Sequence, residues 1–128
     1  MFLLLLGAAC ASVEVHEQYK DMEEAMEAEV ETLVDKIMPA ELNKDPDKTN
    51  FEAIRSSAMS VRSLFIQARD PKRALYLRSK KYRTKAKTAA GWFRDIAAAA
   101  TLKQHAKLVD LYKQKKTICN SCHKHGDW

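Results

Sequence analysis

Two cysteines and a histidine near the end of the chain have the spacing of a known chemical motif. The stretch TICNSCHKHGDW contains Cys119, Cys122 and His123 in the order Cys-x-x-Cys-His, which is the attachment signature of c-type haem. Thiols three residues apart on a helix face the same way, so each can form a thioether with one vinyl group of the haem. His123 can then turn its imidazole to the iron as the proximal ligand. The motif predicts one covalently bound haem c.

Other chemistries of the same residues compete with this interpretation. A redox-active cysteine pair usually lies at a helix N-terminus, which lowers the thiol pKa, whereas this pair is expected at a helix C-terminus. Cys119, Cys122, His123 and His125 could supply four zinc ligands, but crowding four ligands into seven residues gives poor tetrahedral geometry. A non-haem, zinc-binding helical bundle and a structural disulfide remain as alternatives.

The chain begins with an apolar run, MFLLLLGAACA, and then turns polar. The run is shorter than the roughly 20 residues that a membrane-spanning helix needs, and it indicates a signal peptide over residues 1–11. Ala9-Cys10-Ala11 fits cleavage after Ala11. Alternatively, Gly7 to Cys10 resembles a lipobox, in which Cys10 would carry a lipid and tether the protein to a membrane. Both interpretations predict export to the bacterial periplasm, and residues 12–128 would form the mature domain.

Four amphipathic segments follow, and none has the alternation of a strand. The first spans residues 13–37 and is broken by Pro39 and Pro46. A capping box, Thr49 to Glu52, predicts the start of the second helix. Asp70-Pro71 predicts the start of the third, unless residues 71–81 form an extended connection. A second capping box, Thr101 to Gln104, predicts the start of the fourth.

Apolar residues recur in each segment at intervals of three and four, which predicts one core-facing stripe per helix. Such helices predict an all-α fold, an antiparallel up-down four-helix bundle. In that order, the motif would lie level with the first turns of the first helix. The expected stripes are Tyr19, Met22, Met26, Val30, Leu33 and Ile37; Phe51, Ile54, Ala58, Val61, Phe65 and Ala68; Leu75, Tyr82, Ala86, Ala89, Phe93 and Ile96; and Leu102, Ala106, Val109, Tyr112, Cys119 and Cys122.

Charge is distributed unevenly along the chain. Residues 1–50 contain 4 Lys and Arg against 12 Asp and Glu, and residues 51–128 contain 18 against 5, so the two parts carry net charges of −8 and +13. An acidic first helix packed among basic helices explains this pattern, and a basic face that steers an acidic protein partner is the alternative. No recognised nucleic-acid motif accompanies the basic residues.

An exported four-helix bundle with one Cys-x-x-Cys-His near its C-terminus resembles the class II c-type cytochromes, the cytochrome c′ family. The likeness also includes the run from Lys85 to Ala90 and a methionine near the start of the first helix. The resemblance implies one haem on Cys119 and Cys122 with His123 as proximal ligand, and it implies electron transfer or binding of gases such as nitric oxide. Family members are often dimers. Gln18 stands where the family usually has an arginine that meets a haem propionate, and Lys124 or Trp128 would replace residues that usually follow the motif.

The sixth iron ligand is the open question of this interpretation. Met22 is the favoured candidate because it lies on the apolar stripe early in the first helix, and a thioether raises the haem potential. Methionine is also a common core residue, so no protein ligand, Met26 and His16 remain as alternatives. His105 is expected at the surface of the far end of the bundle.

In this interpretation, the function of the protein depends on which ligands bind the haem iron. A bound thioether predicts a single-haem periplasmic electron carrier with protein redox partners. An open sixth position predicts a five-coordinate protein that binds nitric oxide or carbon monoxide. No phosphate-binding loop, nucleophile motif or paired acid and base is present, so the sequence does not predict an enzyme.

Overall fold

The computed structural model describes residues 19–123, with side chains as far as Asn120, and this part of the chain is all-helical. Helices account for 74% of it, and it contains no strand. The predicted signal peptide, Cys10, His16 and Gln18 lie outside the described residues, as do Lys124, His125 and Trp128. None of the described helices is both long and apolar enough to cross a membrane.

The first helical segment covers residues 22–42 and changes its winding along its length. It comprises α1 (Met22–Ala25), two π-helical stretches, Met26–Val30 and Thr32–Ile37, and α2 (Met38–Leu42). Asp21 caps the start, because its extended backbone leaves the helix and its carboxylate accepts the Glu24 N–H at 2.9 Å. The prediction that the helix already includes residues 19–21 is therefore wrong.

Pro39 does not end this segment as predicted. It lies in the first turn of α2, directly after the second π-helical stretch. A proline lacks an N–H and is tolerated in the first turn of a helix, where that donor would have no partner. The change from π- to α-helical winding supplies such a first turn, so the segment continues to Leu42.

The second helix, α3 (Phe51–Gln67), has its N-cap one residue later than predicted. Asn50 is its N-cap, and the Asn50 side-chain oxygen accepts the Ala53 N–H at 3.0 Å. The Thr49 hydroxyl instead lies 3.2 and 3.0 Å from the carbonyl oxygens of Glu41 and Asp45, which share its one hydrogen as acceptors. The predicted capping box is wrong because Thr49 closes the preceding loop.

An extended connection joins α3 to α4 (Lys80–Thr101), as the alternative interpretation of residues 71–81 proposed. The Asp70 side chain accepts the Lys72 N–H at 3.0 Å, which makes a turn rather than a helix start. Leu75 and Leu77 are buried, and the Leu77 N–H donates to the Ala68 carbonyl oxygen at 2.8 Å. Burial of these leucines anchors the connection to the core.

The last helical region consists of α5 (His105–Lys113) and α6 (Lys115–His123). The predicted capping box at Thr101 is wrong, since α4 extends through Thr101. Lys103 adopts a positive φ of 54°, and the N–H groups of Lys103 and Gln104 donate to the carbonyl oxygens of Ala100 and Ala99 at 3.0 and 2.9 Å. These two bonds form a Schellman motif, which ends α4 and turns the chain into α5.

Most of the predicted stripes form the core. All six expected positions of the second segment are buried, including Phe65, whose ring stacks on Phe93 of α4 with centroids 5.6 Å apart. The fourth stripe is partly wrong: Leu102 is 67% exposed, and Ala106 is exposed. Both errors follow from the displaced start of the last helix, which changes the face that each residue presents.

Hydrogen bonds from Trp92 and Tyr112, both in the described part of the chain, connect the last helical region to the others. Trp92 of α4 donates its indole N–H to the Leu111 carbonyl oxygen at 3.0 Å. Tyr112 donates its hydroxyl to the Val34 carbonyl oxygen at 2.9 Å. Tyr112 is therefore held against the second π-helical stretch of the first segment.

Candidate functional site

The Cys-x-x-Cys-His motif lies on one continuous helix. Cys119, Cys122 and His123 all belong to α6, so their backbone positions have the i, i+3 and i+4 relationship that the prediction required. The Cys119 side chain is half-buried, and Ile118 beside it packs against the core. The side chains of Cys122 and His123 lie outside the described part of the chain.

Lys115, at the start of α6, contacts Tyr112, the residue that binds the first helical segment through Val34. Its ammonium group donates to the Tyr112 hydroxyl oxygen at 3.1 Å and lies 4.8 Å from the centre of the Tyr112 ring. The hydrogen bond to Tyr112 is the main reason that the pKa of Lys115 is raised above its ordinary value, and the nearby Asp35 and Cys119 contribute in the same direction. Cys119 thus lies one helical turn beyond the residue that contacts Tyr112.

A cleft of about 380 Å³ opens beside the start of the first helical segment. One wall comes from Asp21, Met22 and Glu23, and the other comes from the connection before α4 and its first turn. The residues of that second wall are Ala74, Tyr76, Leu77, Arg78, Ser79 and Tyr82. The volume is within the roughly 300–1,000 Å³ of sites that hold small molecules and cofactors.

Met22 combines burial with a position at the cleft. It is the first residue of α1, it lines the cleft, and only 3% of it is exposed. Met26 opens the first π-helical stretch and is half-buried against the core. Of the two methionines considered as iron ligands, Met22 alone is among the residues that line the cleft.

Arg83 forms hydrogen bonds with the backbone of the second wall of the cleft. Its guanidinium donates to the carbonyl oxygens of Leu77 and Arg78, at 2.9 and 2.6 Å, and lies 5.3 Å from the centre of the Tyr76 ring. Sequence reasoning missed the role of Tyr76, Arg78 and Arg83. Residues 76–79 follow no helical periodicity, so no spacing in the sequence links them to Arg83.

Two aromatic residues of α4 form part of the core. Trp92 and Phe93 are buried, and their rings lie 4.8 Å apart at a tilt of 58°. Trp92 uses its N–H on Leu111, and Phe93 stacks on Phe65. These contacts pack both residues against neighbouring helices. His105 is half-buried rather than at the surface as predicted.

The residue types that the haem prediction requires are present, and the described residues that line the cleft come from the first helical segment, the connection before α4 and the first turn of α4. Two thiols and an imidazole have the required spacing on α6, and a buried thioether lines a cleft of suitable volume. Within the described residues, no group of three or more His, Cys, Asp or Glu side chains is arranged to hold a metal ion. Comparison with protein-family models finds no match, and comparisons with curated proteins and with solved structures find none either.

Proposed function

We propose that the protein is an exported single-haem c-type cytochrome of the class II kind, with an antiparallel four-helix bundle around the haem. The observation that carries the proposal is the Cys-x-x-Cys-His motif on α6, in a helical protein whose first segment presents a buried methionine at a cleft. The family resemblance rests on the same residues and on the run from Lys85 to Ala90.

Contacts between the first and last helical regions support the antiparallel order. The early part of the last region, α5, packs against α2 at the end of the first segment. Further along the last region, Tyr112 contacts Val34, which lies earlier in the first segment than α2. Sequence positions that rise in one region and fall in the other are the pattern of antiparallel neighbours. Continuing this order puts the motif closer to the start of the first segment, where Met22 lies.

Each residue of the proposed site has a distinct task. Cys119 and Cys122 hold the cofactor covalently, and the imidazole of His123 serves as the proximal ligand. The thioether of Met22 is the candidate sixth ligand, and Leu77 helps to exclude water from the cleft. A haem bound in this way supplies one-electron chemistry at its iron, with a potential tuned by ligands, burial and hydrogen bonds.

The proposed role is electron transfer between proteins of the periplasm. An iron site that keeps the same two ligands in both oxidation states reorganises little on electron transfer. A role in electron transfer therefore favours Met22 as an iron ligand. The basic residues after position 50 would steer an acidic redox partner by long-range attraction. No catalytic activity is proposed. Membrane association is proposed only for a form lipidated at Cys10, and a homodimer is compatible with the family resemblance.

Gas binding is the second candidate function. The cleft lies directly beside Met22, so a thioether that only lines the pocket would leave space there for nitric oxide or carbon monoxide. The two candidates share Cys119, Cys122 and His123, and they differ in the sixth position alone.

Haem attachment is tested by producing the full chain in a bacterial host with haem-attachment machinery. Wild type should retain a haem stain on a denaturing gel, and the Cys119→Ala, Cys122→Ala double variant should lose it. Ser121→Ala, within the motif but without a ligand group, is the control and should stain as wild type. A colourless wild-type protein that carries zinc would establish the zinc alternative instead.

A further inference from the structure

The cleft beside Met22 contains a cation that the haem-ligand set does not use. Arg78 lines the cleft and is exposed, so it lies at the rim rather than in the interior. Among the side chains that the structure describes, none forms an ion pair with its guanidinium. A planar guanidinium with five N–H donors matches a carboxylate, to which it can donate two parallel hydrogen bonds.

The backbone that carries Arg78 is firmly held. The Arg83 guanidinium binds the carbonyl oxygens of both Leu77 and Arg78. Leu77 is buried, and its N–H is bonded to Ala68 of the preceding helix end. The Arg78 side chain therefore projects from a fixed point of the wall, so less conformational freedom is lost when it binds a ligand.

The opposite wall carries charge of the other sign. Asp21 and Glu23 line the cleft from the first helical segment. The Asp21 carboxylate is already committed to the Glu24 N–H as the helix cap. Any carboxylate that enters the cleft is repelled from this wall and attracted to the Arg78 side. The cleft thus has a preferred orientation for a ligand with an apolar body and an acidic edge.

Haem has this chemistry, since its ring is apolar and one edge bears two propionates. We infer that Arg78 binds a haem propionate at the rim of the cleft and thereby sets the orientation of the acidic edge. This inference rests on the proposed function. It assigns to the connection before α4 a cofactor contact that the Cys-x-x-Cys-His motif does not provide.

The test compares Arg78→Gln with Arg73→Gln in the holo protein. Arg73 lies on the same connection, forms a 3.6 Å ion pair with Asp70, and is not among the residues that line the cleft. Both variants remove one positive charge from an exposed position. The first measurement is the propionate bending band in the resonance Raman spectrum, and the second is the midpoint potential of the haem.

Arg78→Gln should lower the frequency of the bending band, because the propionate loses a charged hydrogen-bond donor. It should also lower the midpoint potential, because a nearby cation favours the reduced iron. The expected shift corresponds to a roughly three- to tenfold change in the reduction equilibrium. Arg73→Gln should leave the band unchanged, and Arg78→Lys should fall between wild type and Arg78→Gln.

An Arg78→Gln protein with the same band and potential as Arg73→Gln would overturn the inference while haem attachment stands. A wild-type protein without covalent haem would overturn the proposed function, and the inference with it. Haem content, measured first in every variant, distinguishes these two failures.

Discussion

The hydroxyl of Tyr112 lies 2.9 Å from the carbonyl oxygen of Val34 and donates a hydrogen bond to it, across 78 positions of sequence. The same hydroxyl oxygen accepts a hydrogen bond from Lys115 at the start of α6. The helix that carries the Cys-x-x-Cys-His motif is thus tied to the first helical segment through one side chain.

Replacing Tyr112 with phenylalanine tests this tie. Tyr112→Phe should lower the free energy of unfolding by about 1–1.5 kcal/mol, because the Val34 carbonyl loses its side-chain donor and Lys115 loses its acceptor. Urea unfolding followed by circular dichroism measures the change. Tyr76→Phe is the matched control, since the main contact of Tyr76 is made by its ring with Arg83. Equal stability of Tyr112→Phe and wild type would contradict the prediction.

Met22 is tested with a substitution that removes sulfur but keeps volume. Met22→Leu should cost less than about 1.5 kcal/mol in stability. If the Met22 thioether binds iron, Met22→Leu should convert a low-spin ferric protein into a high-spin one that readily takes up carbon monoxide or nitric oxide. The visible spectrum reports this change, including loss of the weak sulfur-to-iron band in the red.

Met38→Leu is the control for Met22, because Met38 is also buried but lies at the other end of the first segment. A wild-type protein that is already high-spin would make Met22 a pocket residue and favour gas binding. If the Met22→Leu protein is still low-spin, another residue is the sixth ligand, and Met26 and His16 are the next candidates.

Lys103 is a site where glycine should stabilise the fold. Lys103→Gly should raise the free energy of unfolding by about 0.5–1 kcal/mol, because the backbone there has a φ of 54° that a Cβ disfavours. Lys107→Gly, at an exposed position inside α5, should instead cost about 1 kcal/mol. Thermal unfolding of the two variants checks the opposite signs, and destabilisation by both would contradict the Schellman assignment.

Glu41 should make stability depend on acid pH. Its hydrogen bond from Lys44, followed by that from the Asn50 N–H, lowers the pKa of Glu41 below its ordinary value of 4.5. A carboxylate whose pKa is lower in the folded state stabilises the fold above the unfolded-state pKa, and this contribution is lost as the pH falls through the folded-state pKa. The stability difference between wild type and Glu41→Gln should therefore shrink below about pH 4.5.

Unfolding in urea at a series of pH values measures that difference. Glu27→Gln, an exposed position on the first helical segment, controls for the loss of one negative charge. A difference between wild type and Glu41→Gln that grows on acidification would have the wrong sign and would refute the role of the Lys44 and Asn50 contacts.

The sequence by itself determined the helical character of the chain and most of its core. Every predicted position of the stripe of α3, from Phe51 to Ala68, is buried, because a helix repeats every 3.6 residues whatever its neighbours are. The sequence also predicted that Met22 lies in the core and that the Cys-x-x-Cys-His motif lies on a helix. The haem itself, the signal peptide and the periplasmic role remain predictions.

Only the tertiary structure decided where helices begin and what lines the cleft. Thr49 and Thr101 have the local signature of a cap, but Thr49 closes a loop to Glu41, and Thr101 continues α4 because Lys103 ends it. No local sequence pattern predicts the π-helical winding of the first segment. The same is true of the contacts that Arg83 makes with Leu77 and Arg78. A polar side chain can form hydrogen bonds with partners that only the folded chain brings within reach. Sequence spacing alone does not show which of these partners it will bind.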